Sequence, residues 1–384
     1  MSSNNYKVNF ISLLLKIIYM ETSFFIPKAY SKQLKDGSVT WQSPSNIALV
    51  KYWGKYGEQL PKNPSISFTL NNCKTITELK YSKKEIPTDT FDFDVYFEGE
   101  ISKDFKPKIE TFFKRIEKYL PFLKDYKFEI HTTNTFPHSS GIASSASGMS
   151  ALACCLVDME SLLLKNDVTQ SAVEGSFLKK ASFLARLGSG SACRSLEGDL
   201  VVWGAHSKIE GSSNFFGVKY PMKVHKNFKN YQDTILLVDK GEKQVSSSVG
   251  HNLMHDHPFS EERFKQASNN LSKLISVLEL GNLTEFIKIV ESEALTLHAM
   301  MMCSMPYFIL MKPNTLEIIN KIWTYRLETK SNICFTLDAG ANVHVLYPEN
   351  EKAEVLELIK NELVVYCQNG QYICDQIGFG AKKV

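Results

Sequence analysis

The stretch from Thr135 to Cys155, TFPHSSGIASSASGMSALACC, constrains the fold more than any other part of the chain. It begins with small residues, mostly Ser, Ala and Gly, and from Met149 onward apolar residues recur at helical spacing. Small side chains let backbone N–H groups approach a ligand closely, and the first turn of a helix leaves its own N–H groups unpaired. The stretch therefore predicts either a phosphate-binding helix N-terminus or a tight helix entry capped by Ser144 or Ser145.

The composition narrows the class of protein. The chain has 384 residues, enough for roughly two domains, and its 43% hydrophobic and 22% charged residues are typical of a globular protein. A net charge of +3, with Lys and Arg scattered along the chain, gives no support for a nucleic-acid partner. A small anionic substrate is compatible with this charge.

The cysteines and the N-terminus bear on location. The eight cysteines show no C-x-x-C spacing and mostly lie in apolar runs, which predicts reduced thiols and a cytoplasmic protein. The apolar stretch near the N-terminus is interrupted by Lys16, is too short to span a bilayer and has no small-residue cleavage site. We therefore expect residues 1–22 to be a poorly ordered extension and expect no membrane contact. The sequence leaves a homodimer open.

The order of hydrophobic patterns predicts an α+β protein with two domains after the extension, at residues 23–215 and 216–384. Strand patterns dominate before residue 135, in SVTWQ, IALVKYWGK, SISFTL, TITELKYS, FDFDVYFEG and YKFEIHTT. Helical patterns follow at about 149–163, 177–187, 261–280, 283–302, 315–328 and 352–363. Between and after them lie the strand patterns DLVVWGAH, DTILLVDK, ICFTLDAG, NVHVLYP and QYICDQIGF.

A second small-residue turn, LGSGSACRS, contains Ser189, Ser191 and Arg194. Arg194 offers five N–H donors, which suit bidentate contact with a phosphate or a carboxylate. The alternative is a helix end at Gly188 with Arg194 on a solvated face. The residues alone favour that alternative.

A third stretch, SPSNIALVKYWGKYGE, places Lys51, Tyr52 and Lys55 within five residues. In a strand Lys51 and Lys55 would point to the same face, and two ammonium groups held together favour an anion between them. The alternative is a solvated edge strand with exposed lysines.

A fourth stretch, CFTLDAGANVHVLYP, ends a hydrophobic strand at Asp338. Most aspartates at such turns only cap the turn, but a carboxylate that faces cations from other segments could act as a general base. Both interpretations stay open. The two histidines of HDHP, His255 and His257, predict a surface loop rather than a metal site.

Several common enzyme signatures are missing from the chain. It contains no G-x-x-x-x-G-K-[ST] phosphate loop, no complete G-x-G-x-x-G and no G-x-S-x-G nucleophile turn. Serine hydrolysis and the two familiar nucleotide-binding fingerprints therefore have no support.

Read in order, four stretches resemble the diphosphomevalonate decarboxylase family of the small-molecule kinases that include galactokinase, homoserine kinase and mevalonate kinase. These stretches are NIALVKYWGK, SSGIASSASG, GSGSACRSLEGDLVVW and FTLDAGANVHVLYP, and the resemblance extends from about Phe25 to the C-terminus. It implies a two-lobed α+β GHMP-kinase fold, with an N-terminal ATP-binding lobe of the ribosomal-protein type and a ferredoxin-like C-terminal lobe. The active site would lie in the cleft between the lobes.

The resemblance implies ATP and Mg²⁺ as cofactors, with the ATP phosphates at the small-residue helix start. The residues that carry over to this role are Pro137, Gly141, Ile142, Ala143, Ser144, Ser145 and Ala146. Among them Ser145 would lie on the Mg²⁺ side.

The resemblance also implies that mevalonate 5-diphosphate is the substrate and that isopentenyl diphosphate, ADP, phosphate and CO₂ are the products. Its diphosphate and carboxylate would be held by Tyr52, Lys55, Ser189, Ser191 and Arg194. Asp338 would take the proton of the tertiary hydroxyl and Lys51 would neutralise the transferring phosphate, so that Asp338, Lys51 and Arg194 form the catalytic set.

The alternative within this superfamily is a kinase that phosphorylates mevalonate or a phosphomevalonate and stops. Such kinases tend to lose the aspartate, lysine or arginine, whereas Asp338, Lys51 and Arg194 are all present here. A binding protein without turnover is a further alternative, which the intact small-residue loop disfavours.

Overall fold

The computed structural model describes residues 22–27, 29–137, 142–164, 170–239 and 247–384, and for 170–174 and 247–248 it describes the backbone alone. The predicted extension at 1–22 therefore lies outside the described residues except for Thr22. In the described parts of the chain the strands form two larger sheets and one small hairpin. The strands are β1 (Asp36–Val50), β2 (Lys55–Tyr56), β3 (Leu60–Pro61), β4 (Ser65–Lys83), β5 (Asp92–Phe97), β6 (Glu100–Ile101), β7 (Tyr126–Asn134), β8 (Leu200–Trp203), β9 (Val218–Lys219), β10 (Gln232–Leu236), β11 (Cys334–Thr336), β12 (Val343–Tyr347), β13 (Tyr372–Gln376) and β14 (Lys382–Lys383).

The first sheet has the order β14-β1-β4-β7-β5-β6, and β8 with β9 extends it from β4. All its pairs are antiparallel except β5 with β7. The long strand β4 has two parts that differ in burial. Its first six residues are all buried, whereas burial alternates from Cys73 to Tyr81. Continuous burial means that both faces of the sheet are covered at the start of β4. This covered part lies beside the end of β1 and beside β8, where the candidate site is found.

The helices cover the first sheet and build most of the second lobe. They are α1 (Lys106–Ile116), α2 (Ser144–Leu163), α3 (Gln170–Gly188), α4 (Ser247–Asn252), α5 (Ser260–Leu280), α6 (Leu283–Met302), α7 (Pro313–Thr329) and α8 (Lys352–Leu358). Helix α2 packs against β1, β4 and α3, and most of its residues are buried, including Asp158 and Glu160. Its length and hydropathy would suffice for a membrane span, but 83% of an 18-residue apolar stretch within it is buried inside the protein, as in a core helix.

The second sheet has the order β11-β12-β10-β13 and is antiparallel throughout. One continuous apolar core connects it to the first sheet, with Phe68 and Leu70 of β4 packed in the same cluster as Leu271 of α5 and Phe286 of α6. The two halves of the chain therefore share a core at the base of the cleft.

The predicted strands and helices are present, with different bounds. One strand, β1, contains both SVTWQ and IALV. It continues through Pro44, and its pairing with β4 shifts register on either side of Ile47. SISFTL and TITELKYS likewise form the single strand β4. The prediction missed α1, whose Ile109, Phe112 and Ile116 have the spacing of a buried helix face. The division at 215/216 stays a prediction, and β9 and β14 both cross it to pair in the first sheet.

Candidate active site

A large cavity lies where β1 ends, where α2 begins and where the chain turns after β11. It encloses about 1290 Å³, including space open to solvent. Eleven of the residues predicted for the site line it: Lys51, Tyr52, Lys55, Ala143, Ser144, Ser145, Ala146, Ser189, Ser191, Arg194 and Asp338. A concave site that brings several charged and polar side chains together is the expected place for a small-molecule ligand.

At the start of α2 the helix is not capped by a serine. Its N-cap is Ala143, and among the described residues no side chain accepts a hydrogen bond from the first turn in the manner of a cap. The alternative prediction, a helix entry capped by Ser144 or Ser145, is therefore wrong, because α2 already begins at Ser144. N–H groups without a side-chain acceptor next to a cavity are suited to an anionic ligand.

Lys51 and Asp338 form an ion pair at the centre of the cavity. The Lys51 Nζ lies 3.0 Å from Asp338 Oδ1, and the side chains are 2% and 32% exposed. Burial lowers the pKa of Lys51, and the carboxylate of Asp338 opposes that shift. The alternative interpretation of Lys51 as an exposed edge-strand lysine is wrong. In the turn after β11, the backbone carbonyl of Asp338 accepts the N–H of Gly340, which leaves the carboxylate on the cavity side with Lys51.

The backbone of Lys51 is fixed by residues of both lobes. Its N–H donates to Glu293 Oε2 at 2.9 Å, and its carbonyl accepts from Asn63 Nδ2 at 2.9 Å and Arg263 Nη2 at 3.4 Å. Glu293 and Arg263 themselves form an ion pair whose side chains are both fully buried. The position of Lys51 is therefore held by both α5 and α6.

Arg194 lies in the wall of the cavity below the start of β4. Its Nε donates to Ser67 Oγ at 2.5 Å and its Nη1 to Ser65 Oγ at 2.8 Å, and its guanidinium lies over Trp203, 5.7 Å from the ring centroid. Helix α3 ends at Gly188 as the alternative predicted, but Arg194 is 3% exposed, so its predicted place on a solvated face is wrong. Burial lowers the pKa of Arg194, but a guanidinium remains protonated at neutral pH.

Tyr52 presents a buried hydroxyl to the same cavity. Among the described residues its Oη has no hydrogen-bond partner, and burial raises the pKa of Tyr52. The ring packs edge-to-face on Trp203 at 4.6 Å and lies 4.1 Å from the ring of His251. A buried donor without a protein partner is costly unless a ligand or water accepts from it.

The prediction that Lys51 and Lys55 share one face of a strand is wrong. Strand β1 ends at Val50, and the chain turns at Gly54, which has φ 91°, before Lys55 begins β2. Both lysines nevertheless line the cavity. Burial lowers the pKa of Lys55, and Arg115 adds to that shift.

Two of the predicted phosphate residues, Pro137 and Ile142, do not line the cavity. Pro137 is exposed and lies outside the lining, and Ile142 is 3% exposed within the apolar core. Gly141 lies outside the described residues. The side chain of Ile142 therefore belongs to the apolar core, and this residue could contact a ligand only through its backbone.

Among the lining residues that sequence reasoning missed, two carry ionisable side chains, Lys108 and His251. Lys108 of α1 donates from Nζ to Ser145 Oγ at 2.9 Å, so it brings a further cation to the start of α2. The helical spacing in α1 could have predicted the helix, but no pattern links residue 108 to residue 145.

The described residues contain no group of three or more His, Cys, Asp or Glu side chains that could hold a metal ion. His257 of the HDHP stretch is buried and its Nε2 lies 3.1 Å from the carbonyl oxygen of Met300. A divalent cation at this site would therefore depend on ligand phosphates, with the hydroxyls of Ser144 and Ser145 nearby, as is usual for Mg²⁺.

Comparisons with known proteins identify the family. Residues 43–215 match the diphosphomevalonate decarboxylase-like N-terminal domain, and residues 234–378 match the mevalonate 5-diphosphate decarboxylase C-terminal domain. Diphosphomevalonate decarboxylase of Ganoderma lucidum is 28% identical over 364 residues, which cover 90% of this chain and 86% of the relative.

Solved structures share the fold. A mevalonate diphosphate decarboxylase of Staphylococcus aureus has a TM-score of 0.76 and 25% identity, with 91% of this chain and 98% of that chain covered. A structure of MDDEF in complex with MVAPP, AMPPCP and magnesium also has a TM-score of 0.76, with 24% identity and coverage of 91% and 99%. These matches confirm the predicted two-lobed α+β GHMP-kinase fold. With both of its lobes matched by the models of one family, the chain belongs to the diphosphomevalonate decarboxylase family.

Proposed function

We propose that this chain catalyses the ATP-dependent decarboxylation of mevalonate 5-diphosphate to isopentenyl diphosphate, with release of ADP, phosphate and CO₂. The observation that carries the proposal is the Lys51–Asp338 pair, 3.0 Å apart, in a cavity that also contains Arg194 and an uncapped helix start. Family membership supports the reaction, and the residues present fit its chemistry.

In this proposal the start of α2 binds the ATP phosphates. The backbone N–H of Ala143, the hydroxyls of Ser144 and Ser145, and the ammonium of Lys108 all lie at one end of the cavity. An apolar hollow of about 610 Å³, including space open to solvent, adjoins this end and shares Lys108, Ser144 and Ser145 with the cavity, so it would accept the nucleotide base. Mg²⁺ bound to the phosphates would neutralise part of their charge, with Ser145 on its side.

At the other end of the cavity, Tyr52, Lys55, Ser189 and Ser191 would hold the diphosphate, and Arg194 would hold the carboxylate of the substrate. The unpartnered Tyr52 hydroxyl would gain an acceptor when the diphosphate binds. Arg194 is oriented by Ser65 and Ser67, which restricts the guanidinium to one position before substrate arrives.

Asp338 would accept the proton of the tertiary hydroxyl while the hydroxyl oxygen forms a bond to the γ-phosphorus and ADP leaves. The C–O bond of the new phosphate ester then breaks and phosphate leaves with its electron pair. The bond from the adjacent carbon to the carboxylate breaks as well, so that its electron pair forms the alkene and CO₂ is released. Lys51 would stabilise the charge that develops on the transferring phosphate. Together these steps account for every product.

The location and assembly of the enzyme are part of the proposal. All eight cysteines are free, six of them buried, which suits a reducing compartment such as the cytoplasm. A homodimer remains open.

The test is product analysis of the full chain with mevalonate 5-diphosphate labelled at its carboxyl carbon, ATP and Mg²⁺. We expect equal amounts of ADP, labelled CO₂ and isopentenyl diphosphate, and we expect Asp94→Asn, a change at an exposed carboxylate, to leave them unaltered. ADP together with a phosphorylated substrate and no CO₂ would instead identify a kinase. No ADP with this substrate would refute the proposal.

A further inference from the structure

His251 of α4 forms part of the cavity wall beside the residues that the proposed function assigns to the substrate. The imidazole lies against Tyr52 at 4.1 Å and against Trp53 at 4.7 Å between ring centroids. It is 8% exposed, and the cavity is on its open side. Packing on two aromatic rings fixes the plane of the imidazole.

The hydrogen bonds of His251 fix its tautomer. Its Nδ1 accepts the backbone N–H of Gly54 at 3.0 Å, so in the neutral ring the hydrogen is on Nε2. No acceptor for that Nε2–H is found in the parts of the chain that the structure describes. Burial lowers the pKa of His251 to about 3, and the charges of Lys55 and Arg194 add to the shift, so the ring is neutral at physiological pH.

We propose that His251 binds the substrate by donating its Nε2–H to an anionic oxygen of the phosphorylated hydroxy acid. The inference rests on the proposed function and adds a ligand contact to it. The oxygen belongs either to the diphosphate or to the carboxylate, since both are anionic acceptors in the same cavity.

A neutral donor suits this position for an electrostatic reason. Lys51, Lys55, Lys108 and Arg194 already line the cavity, and a further cation among them would be repelled. An imidazole N–H adds a hydrogen bond to the anion without adding charge. It also orients the anion, because the ring cannot rotate away from Tyr52 and Trp53.

Two substitutions separate substrate binding from a structural role. In His251→Asn the side-chain oxygen lies near the position of Nδ1 and can still accept from Gly54, but the Nε2 donor is lost. In His251→Gln the amide nitrogen reaches the position of Nε2, and the Gly54 acceptor is lost. For a hydrogen bond to a charged group we expect His251→Asn to raise the KM for mevalonate 5-diphosphate about 10- to 100-fold. His251→Gln should recover most of this loss.

The KM for ATP should change less than about twofold in both variants, because the contacts of His251 are with Tyr52, Trp53 and Gly54 and not with the described residues assigned to ATP. His255→Asn, a change at an exposed histidine, should alter neither constant. Unchanged substrate KM in His251→Asn would overturn the inference, and so would an equal loss in both variants, since that would mark a structural role. If the wild type fails to convert the substrate at all, it is the proposed function that fails.

Two further measurements use competition and the wild-type protein. Inorganic pyrophosphate as a competitor identifies the oxygen that His251 binds. If the Ki for pyrophosphate rises in His251→Asn as much as the KM does, the oxygen belongs to the diphosphate. If the Ki is unchanged, the oxygen belongs to the carboxylate. In ¹⁵N-labelled wild type, the His251 Nε2 resonance should move when mevalonate 5-diphosphate is added without ATP. No movement of that resonance would overturn the contact even if the variants do not fold.

Discussion

Replacement of Glu293 by glutamine should destabilise the protein strongly, although the residue touches no ligand. Glu293 Oε1 accepts from Arg263 Nη1 at 3.0 Å and from Asn270 Nδ2 at 2.7 Å, and Oε2 accepts from Arg263 Nη2 and from the Lys51 N–H at 2.9 Å. Both side chains of the Arg263–Glu293 pair have no exposed surface. Glutamine would leave the guanidinium buried without a counter-charge and would place an amide donor against another donor.

Loss of one partner from a buried ion pair costs about 3–5 kcal/mol. With a shift of about 2 °C per kcal/mol for a large domain, the melting temperature of Glu293→Gln should fall by at least about 6 °C. The turnover number should fall too, because the backbone of Lys51 loses its carboxylate acceptor.

The assay is thermal unfolding followed by circular dichroism, with turnover measured well below the transition. Glu285→Gln on the same helix is the matched control, since Glu285 is 45% exposed and its pair with Lys288 contributes at most about 1 kcal/mol. The double variant Arg263→Met/Glu293→Met should melt above Glu293→Gln, because it removes both buried charges. A Glu293→Gln protein that melts within 2 °C of wild type, as an order-of-magnitude limit, would refute the reasoning.

Three other predictions follow from the site. Asp338→Asn should lower kcat about 10²- to 10⁴-fold while the KM for mevalonate 5-diphosphate changes little, as expected for loss of a general base, and near-normal turnover would contradict that role. Lys108→Met should raise the KM for ATP about 10- to 100-fold and spare the substrate KM, and steady-state kinetics with each ligand varied in turn would expose the opposite pattern. Burial lowers the pKa of His251 to about 3 and that of His298 to about 4, below the usual 6.5 of an exposed histidine, so as the pH falls the unfolded chain binds protons before the folded one. Stability should therefore decrease from pH 6.5 toward pH 4, by about 1.4 kcal/mol per pH unit for each ring, and a urea midpoint that does not move between about pH 7.5 and 5.5 would contradict it.

The sequence predicted which segments form strands and helices better than it predicted where each strand begins and ends. Asn71 and Asn72 suggest a break between SISFTL and TITELKYS, but β4 runs through them. The carboxylate of Asp375 accepts from the N–H groups of Asn71, Asn72 and Cys73 at 2.7–2.9 Å and satisfies the strand at this point. The acceptor comes from β13, about 300 residues further along the chain, so no local pattern could predict it.

Some residues of the candidate site could be predicted from local sequence motifs, and others could not. Lys51, Arg194 and Asp338 stand in short motifs, and those motifs predicted them as site residues. Lys108 and His251 stand in no such motif, and only the packing of α1 and α4 against the cavity brings them there. Burial could not be predicted either, because lysine and arginine are usually exposed. Lys51 is buried with the carboxylate of Asp338 as its counter-charge, and Arg194 is buried with the hydroxyls of Ser65 and Ser67 as acceptors for its N–H donors.

The attachment of Lys51 has a consequence for how the enzyme moves. It directly follows β1 of the first sheet, while Glu293, Arg263 and Asp338, which bind its backbone and its ammonium, belong to the second lobe. A motion that separates the two halves at this residue would therefore have to break these bonds. Such a motion would also take apart the Lys51–Asp338 pair on which the proposed chemistry depends.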